Sequence, residues 1–132
     1  MLISSPKLYK ILVIDDELPI LRLLNKLLAR IGFLVDVAEN GKAGINKINQ
    51  NSYDLILTDI KMPEVSGDEV LEYVKSKNKS IPVIGMSGTP WLFEQHSFDA
   101  ILNKPYNNQE LVEVVNRFLK GKLGIDPHDG SF

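Results

Sequence analysis

Apolar residues fall along this chain in two alternating textures: short unbroken runs, and longer stretches in which they recur every three or four positions. Ile11, Leu12, Val13 and Ile14 form the first unbroken run, which ends at Asp15-Asp16. A run of that kind suits a parallel strand buried on both faces. Residues 18–31 then place Leu21, Leu24, Leu27, Leu28 and Ile31 at helical spacing, with Pro19 in the first turn and Gly32 at the stop. The same alternation predicts a strand over 34–38 and a weaker helix over about 42–49, with Ile45 and Ile48 inward. A third strand covers 54–58 and ends at Asp59, and a loop over 61–67 leads to a helix over 68–77. The fourth strand, 82–86, ends at Ser87, and the fifth, 100–103, ends at Lys104-Pro105. Residues 109–120 close as a helix with Leu111, Val114, Val115 and Phe118 on one side.

Strands alternating with helices predict one α/β three-layer sandwich, a parallel sheet covered on both faces. Five such units favour the flavodoxin-like (βα)5 arrangement with strand order 2-1-3-4-5, whose ligands bind at the carboxyl ends of the strands. One stretch is too short for the pattern. Only sixteen residues, 88–103, separate Ser87 from Lys104. Thr89-Pro90 could open a helix to about residue 97, but about eight residues span only roughly 12 Å. The helix between the fourth and fifth strands is therefore predicted to be shortened, irregular or absent. Residues 1–120 are predicted to form the domain and 121–132, which hold Pro127 and few apolar residues, a flexible tail.

Composition narrows the partners. A formal net charge of −2 gives no global field toward nucleic acid or anionic membranes. With no cysteine, disulfides, thiolate chemistry and cysteine zinc sites are excluded. No stretch approaches the roughly 18 apolar residues of a membrane span, and the first residues lack a signal-peptide pattern. A soluble, cytoplasmic protein without direct nucleic-acid or membrane partners is expected.

The candidate chemistry lies in a joint placement. Singly, Asp15-Asp16 suits a helix cap, Asp59 a turn, and Ser87 and Lys104 loop positions. Yet all five follow apolar strands at one edge of the predicted sheet, where strands 1 and 3 are neighbours. Three clustered carboxylates repel unless a cation sits among them. Hard oxygen ligands in small number suit Mg²⁺, which also accepts phosphate oxygens. A lysine and a hydroxyl from strands 5 and 4 could hold the remaining oxygens of a phosphoryl group.

The combination Ile14-Asp15-Asp16-Glu17, Thr58-Asp59-Ile60-Lys61-Met62-Pro63 with Gly67, Met86-Ser87-Gly88 and Asn103-Lys104-Pro105-Tyr106 resembles the receiver domain of bacterial response regulators across about residues 8–120. The resemblance implies that Asp59 becomes an aspartyl phosphate and that Asp15 and Asp16 hold Mg²⁺ together with Asp59 and the backbone carbonyl of Lys61. It implies that Ser87 and Lys104 bind phosphoryl oxygens and that the Lys104–Pro105 bond is cis. The donor implied is a phosphohistidine on a sensor histidine kinase or phosphotransfer protein. The chain would then be a signalling switch rather than an enzyme, a monomer or weak homodimer acting through protein contacts.

Two other readings stay open: a degenerate receiver serving as a phosphorylation-independent interaction module, and an aspartyl-phosphate phosphohydrolase. Against the latter, the first strand lacks an Asp-x-Asp pair. Ile101 stands where such receivers usually carry a switching aromatic, while Trp91, Phe93, Phe98 and Tyr106 lie nearby. Their expected role is to cover the core. His96 and His128 are expected at the surface, and Lys75, Lys77 and Lys79 to complement a helix end.

Overall fold

A computed structural model of the chain describes residues 8–88 and 97–123, with side chains to residue 119. Five strands form one parallel sheet in the order β2-β1-β3-β4-β5. They are β1 (Lys10–Ile14), β2 (Leu34–Ala38), β3 (Leu55–Asp59), β4 (Val83–Ser87) and β5 (Ala100–Asn103). The described helices are α1 (Leu18–Ile31), α2 (Gly41–Gln50), α3 (Gly67–Lys77) and α4 (Asn108–Leu123). This is the predicted flavodoxin-like sandwich. Residues 90–96, nearly all of the helix expected to about residue 97 and including Trp91, Phe93 and His96, lie outside the described residues, as does His128.

The period of two in each strand divides the core between two faces. Ile11, Val13, Leu55, Leu57, Ile84 and Met86 point to one side, where α1 brings Leu21, Leu24 and Leu28 and α4 brings Leu111, Val115 and Leu119. The intervening Leu12, Ile14, Ile56 and Val83 point to the other, against Val70, Leu71 and Val74 of α3 and Ile45 and Ile48 of α2. Strands covered on both sides explain why the runs contain no polar alternation.

Local chemistry sets the helix ends. Gly32, at φ 117, closes α1 in the left-handed conformation, and its N–H donates to the Ala29 carbonyl. Asn40 caps α2 by accepting from the Ala43 N–H at 2.7 Å, and Ser66 caps α3 through the Glu69 N–H at 3.2 Å. Asn107 accepts from the Glu110 N–H at 2.8 Å in the first turn of α4. That helix runs to Leu123, past its predicted close at 120.

The N-terminal ends of two strands are held by carboxylates. Asp54 accepts the Lys10 N–H at 2.9 Å, and Asp99 accepts the Val83 N–H at 2.7 Å. Among the described residues no helix is long and apolar enough to cross a membrane.

Candidate functional site

β1 and β3 are adjacent, with Ile14 opposite Thr58, so the residues that follow emerge side by side. Asp15 remains tied to the sheet through its N–H, which donates to the Ala38 carbonyl at 3.1 Å. Its side chain is wholly buried, and one oxygen accepts the Glu17 N–H at 2.9 Å. Neither Asp15 nor Asp16 caps α1, whose cap residue is Glu17. Asp59 ends β3 and is 7% exposed, whereas Asp16 is exposed. One carboxylate oxygen from each of the three lies within 4.8 Å of the others.

The opposite wall comes from β4 and β5. Ser87 is the last residue of β4, and its carbonyl accepts the Lys104 N–H at 2.7 Å. This backbone bond brings the residue after β5 to the same edge. The Lys104 ammonium lies 3.4 Å from Asp15 Oδ2 and 3.5 Å from Asp59 Oδ1. At those distances the contacts are ion pairs rather than tight hydrogen bonds, leaving the ammonium able to move toward a third partner. The Lys104–Pro105 bond is cis. Lys61 opens the loop that follows Asp59, and this loop is closed at its base by the Gly67 N–H on the Ile60 carbonyl at 2.8 Å.

Charge crowding shows in the proton affinities. Burial, reinforced by the charges of Asp15 and Asp16, lifts Asp59 to about 6 against the opposing pull of Lys104. Burial likewise raises Asp15, although the Glu17 N–H and Lys104 both favour its ionised form. For Lys104, burial alone would lower the ammonium, but Asp59 and Asp15 outweigh it and the net direction is upward. The Tyr106 hydroxyl is pushed up to about 12 by burial and by the same two carboxylates. A set of converging hard oxygen donors, two of them buried with excess negative charge, fits a small divalent cation.

The predicted residues Asp15, Asp16, Asp59, Ser87 and Lys104 thus share one edge of the sheet, with Lys61 directly beside it. Ile101 lies on β5 and is 39% exposed. Phe98 and Tyr106 do cover the core: Phe98 is buried near Gly85 and Ile60, and Tyr106 packs on the first cluster with its hydroxyl 3.5 Å from the Met86 sulfur.

Sequence reasoning missed the partner of Lys75. Its ammonium donates to the Ile81 carbonyl at 2.8 Å and pairs with Asp99 at 2.9 Å, joining the end of α3 to the start of β5. A partner 24 residues away leaves no local signal.

The response regulator receiver domain pattern matches residues 11–116. The chain is 38% identical over 117 residues to transcriptional regulatory protein ResD of Bacillus subtilis, covering 84% of this chain and 48% of ResD. It is 30% identical over 128 residues to transcription factor SKN7 of Saccharomyces cerevisiae, covering 93% of this chain and 21% of SKN7. It therefore spans half or less of the length of these curated relatives. Among solved structures, a CheY-like response regulator receiver domain protein from Methanospirillum hungatei superposes with TM-score 0.82 at 29% identity, covering 88% of this chain and 97% of the other. Response regulator protein TrrA from Thermotoga maritima, in complex with Mg²⁺-BeF, gives TM-score 0.77 at 35% identity, covering 85% and 100%.

Proposed function

Because the chain belongs to the response regulator receiver family, we propose that it accepts a phosphoryl group on Asp59 and signals through the resulting change in protein contacts. The observation that carries this reading is the position of Asp59. Its buried carboxylate ends the central strand 3.5 Å from the Lys104 ammonium and within 4.8 Å of oxygens from Asp15 and Asp16. Asp15 and Asp59 are themselves shielded from bulk solvent, so their charges are less screened than those of surface carboxylates.

In this reading a carboxylate oxygen of Asp59 attacks phosphorus, and the bond from phosphorus to the donor's imidazole nitrogen breaks. The donor is a phosphohistidine of a sensor histidine kinase or phosphotransfer protein. Asp15, Asp16, Asp59 and the Lys61 backbone carbonyl would hold Mg²⁺, which when bound would supply positive charge against the phosphoryl oxygens. Lys104 exchanges its ion pair with Asp59 for a phosphoryl oxygen, and the Ser87 hydroxyl donates to another. Attack requires the Asp59 carboxylate ionised, which a value of about 6 leaves dominant at neutral pH.

ResD and SKN7 are, by name, a transcriptional regulatory protein and a transcription factor. In proteins of that build, a domain such as residues 1–120 would govern an output segment by protein contacts rather than touch nucleic acid itself. We place it in the cytoplasm, as a monomer or weak homodimer.

The test is intact mass after incubation with Mg²⁺ and acetyl phosphate, beside Asp59→Asn. A Mg²⁺-dependent gain of one phosphoryl mass in the wild type alone supports the reading. Neither labelling nor binding of beryllofluoride with Mg²⁺ would favour a phosphorylation-independent interaction module, and turnover of external phosphate esters a phosphohydrolase.

A further inference from the structure

We propose that Gly41 is a positioning residue for the Mg²⁺ site, acting through the loop that carries Lys61; this rests on the function proposed above. Gly41 is the first residue of α2 and is buried. A Cβ there would lie 2.5 Å from the Val65 carbonyl oxygen, 2.7 Å from Val65 Cγ1 and 2.8 Å from Val65 Cβ. Gly44, one turn later, offers a contrast. Its nearest neighbour would be the Cδ1 end of the Ile14 side chain, which can rotate away. At Gly41 the nearest neighbour is backbone, so an added Cβ would force the loop and the start of α2 apart.

That loop has little slack. The Val65 N–H donates to the Pro63 carbonyl at 2.8 Å, which folds the chain tightly around Glu64 at φ 66. A γ-type turn with positive φ is rare and strained, and a non-glycine residue stays in it only where its surroundings over-determine the backbone. At the loop's other end, Gly67 is so close to Asp59 that a Cβ would lie 2.4 Å from the Asp59 carbonyl oxygen. The segment is therefore clamped at its base against Asp59 and near its tip against Gly41. Lys61 lies between these clamps. Asp16, Gly41, Pro63, Glu64 and Val65 also line one open cavity of about 240 Å³, so the clamp and a proposed metal ligand border the same space.

Mg²⁺ demands near-ideal ligand geometry, so a small displacement of a carbonyl ligand weakens its binding. Gly41→Ala should therefore raise the Mg²⁺ dissociation constant by roughly fivefold or more, measured by calorimetric titration on the full chain at pH 7.5. Ile48→Ala, on the same helix but packed into the second core cluster, should lower the melting temperature and keep wild-type Mg²⁺ affinity. That pairing separates positioning from mere support of the fold. A folded Gly41→Ala protein with wild-type affinity overturns the proposal, as does an equal loss of affinity in Ile48→Ala. If Gly41→Ala does not fold, Val65→Gly removes the abutting side chain without overlap. It should weaken Mg²⁺ binding, and unchanged affinity would overturn the proposal. A wild type that binds no Mg²⁺, or an Asp16→Ala protein that binds it undiminished, would instead defeat the metal reading on which the inference rests.

Discussion

Removing the charge of Asp59 should stabilise the metal-free fold, although the residue is central to the proposed function. Its carboxyl is displaced from 3.8 to about 6, chiefly by burial. At about 1.4 kcal/mol per pH unit, that displacement amounts to about 3 kcal/mol. The direction follows from proton linkage. Between 3.8 and about 6 the native state binds the proton more tightly than the unfolded chain, so stability falls as pH rises through this window. Below it the penalty is absent, and above it the penalty is complete. Metal-free Asp59→Asn should therefore exceed wild type by about 2 to 3 kcal/mol at pH 7.5 and by only about 1 kcal/mol at pH 4.5. Urea denaturation in EDTA, followed by circular dichroism at both pH values, measures the difference. Saturating Mg²⁺ should then restore wild type, since a ligand at one hundred times its dissociation constant contributes about 2.7 kcal/mol. A variant less stable than wild type at pH 7.5, or a gain equal at the two pH values, would refute the reasoning.

Two further predictions concern the end of the sheet away from the site. Asp99→Ala removes the acceptor of the Val83 N–H and the partner of Lys75, and should cost about 2 kcal/mol in urea denaturation; a loss below about 0.5 kcal/mol would mean that water replaces both. Tyr53→Phe removes the 2.7 Å hydrogen bond that is the largest influence holding Asp36 below its ordinary value. Its cost, about 1 kcal/mol at pH 7 given the partial exposure of Asp36, should vanish as pH falls through the depressed Asp36 value, because that stabilisation exists only while the carboxylate is ionised. A cost independent of pH would assign it to packing of the ring instead.

The order of strands and helices was legible in the sequence because backbone geometry imposes short periods. A strand buried on both faces must be a continuous apolar run such as residues 11–14, and α1 must show its apolar stripe every three or four residues. Boundaries followed from residues with local chemistry, such as Gly32 at φ 117. The candidate site was legible for a related reason. Asp15, Asp59, Ser87 and Lys104 each stand where an apolar run stops, and a parallel sheet gathers those stops along one edge.

Tertiary packing decided everything that depends on distance across the chain. The sequence pattern did not say that α1 and α4 share one face while α2 and α3 cover the other. Nor did it say that Tyr53 would find Asp36, that Lys75 would find Asp99, or that Gly41 would lie against Val65. Asp59 owes its proton affinity to burial and to charges that folding brings from β1 and from beyond β5. Periodicity records what each residue needs from its immediate neighbours, whereas desolvation and Coulomb energy depend on groups that only the packed chain brings within a few ångströms.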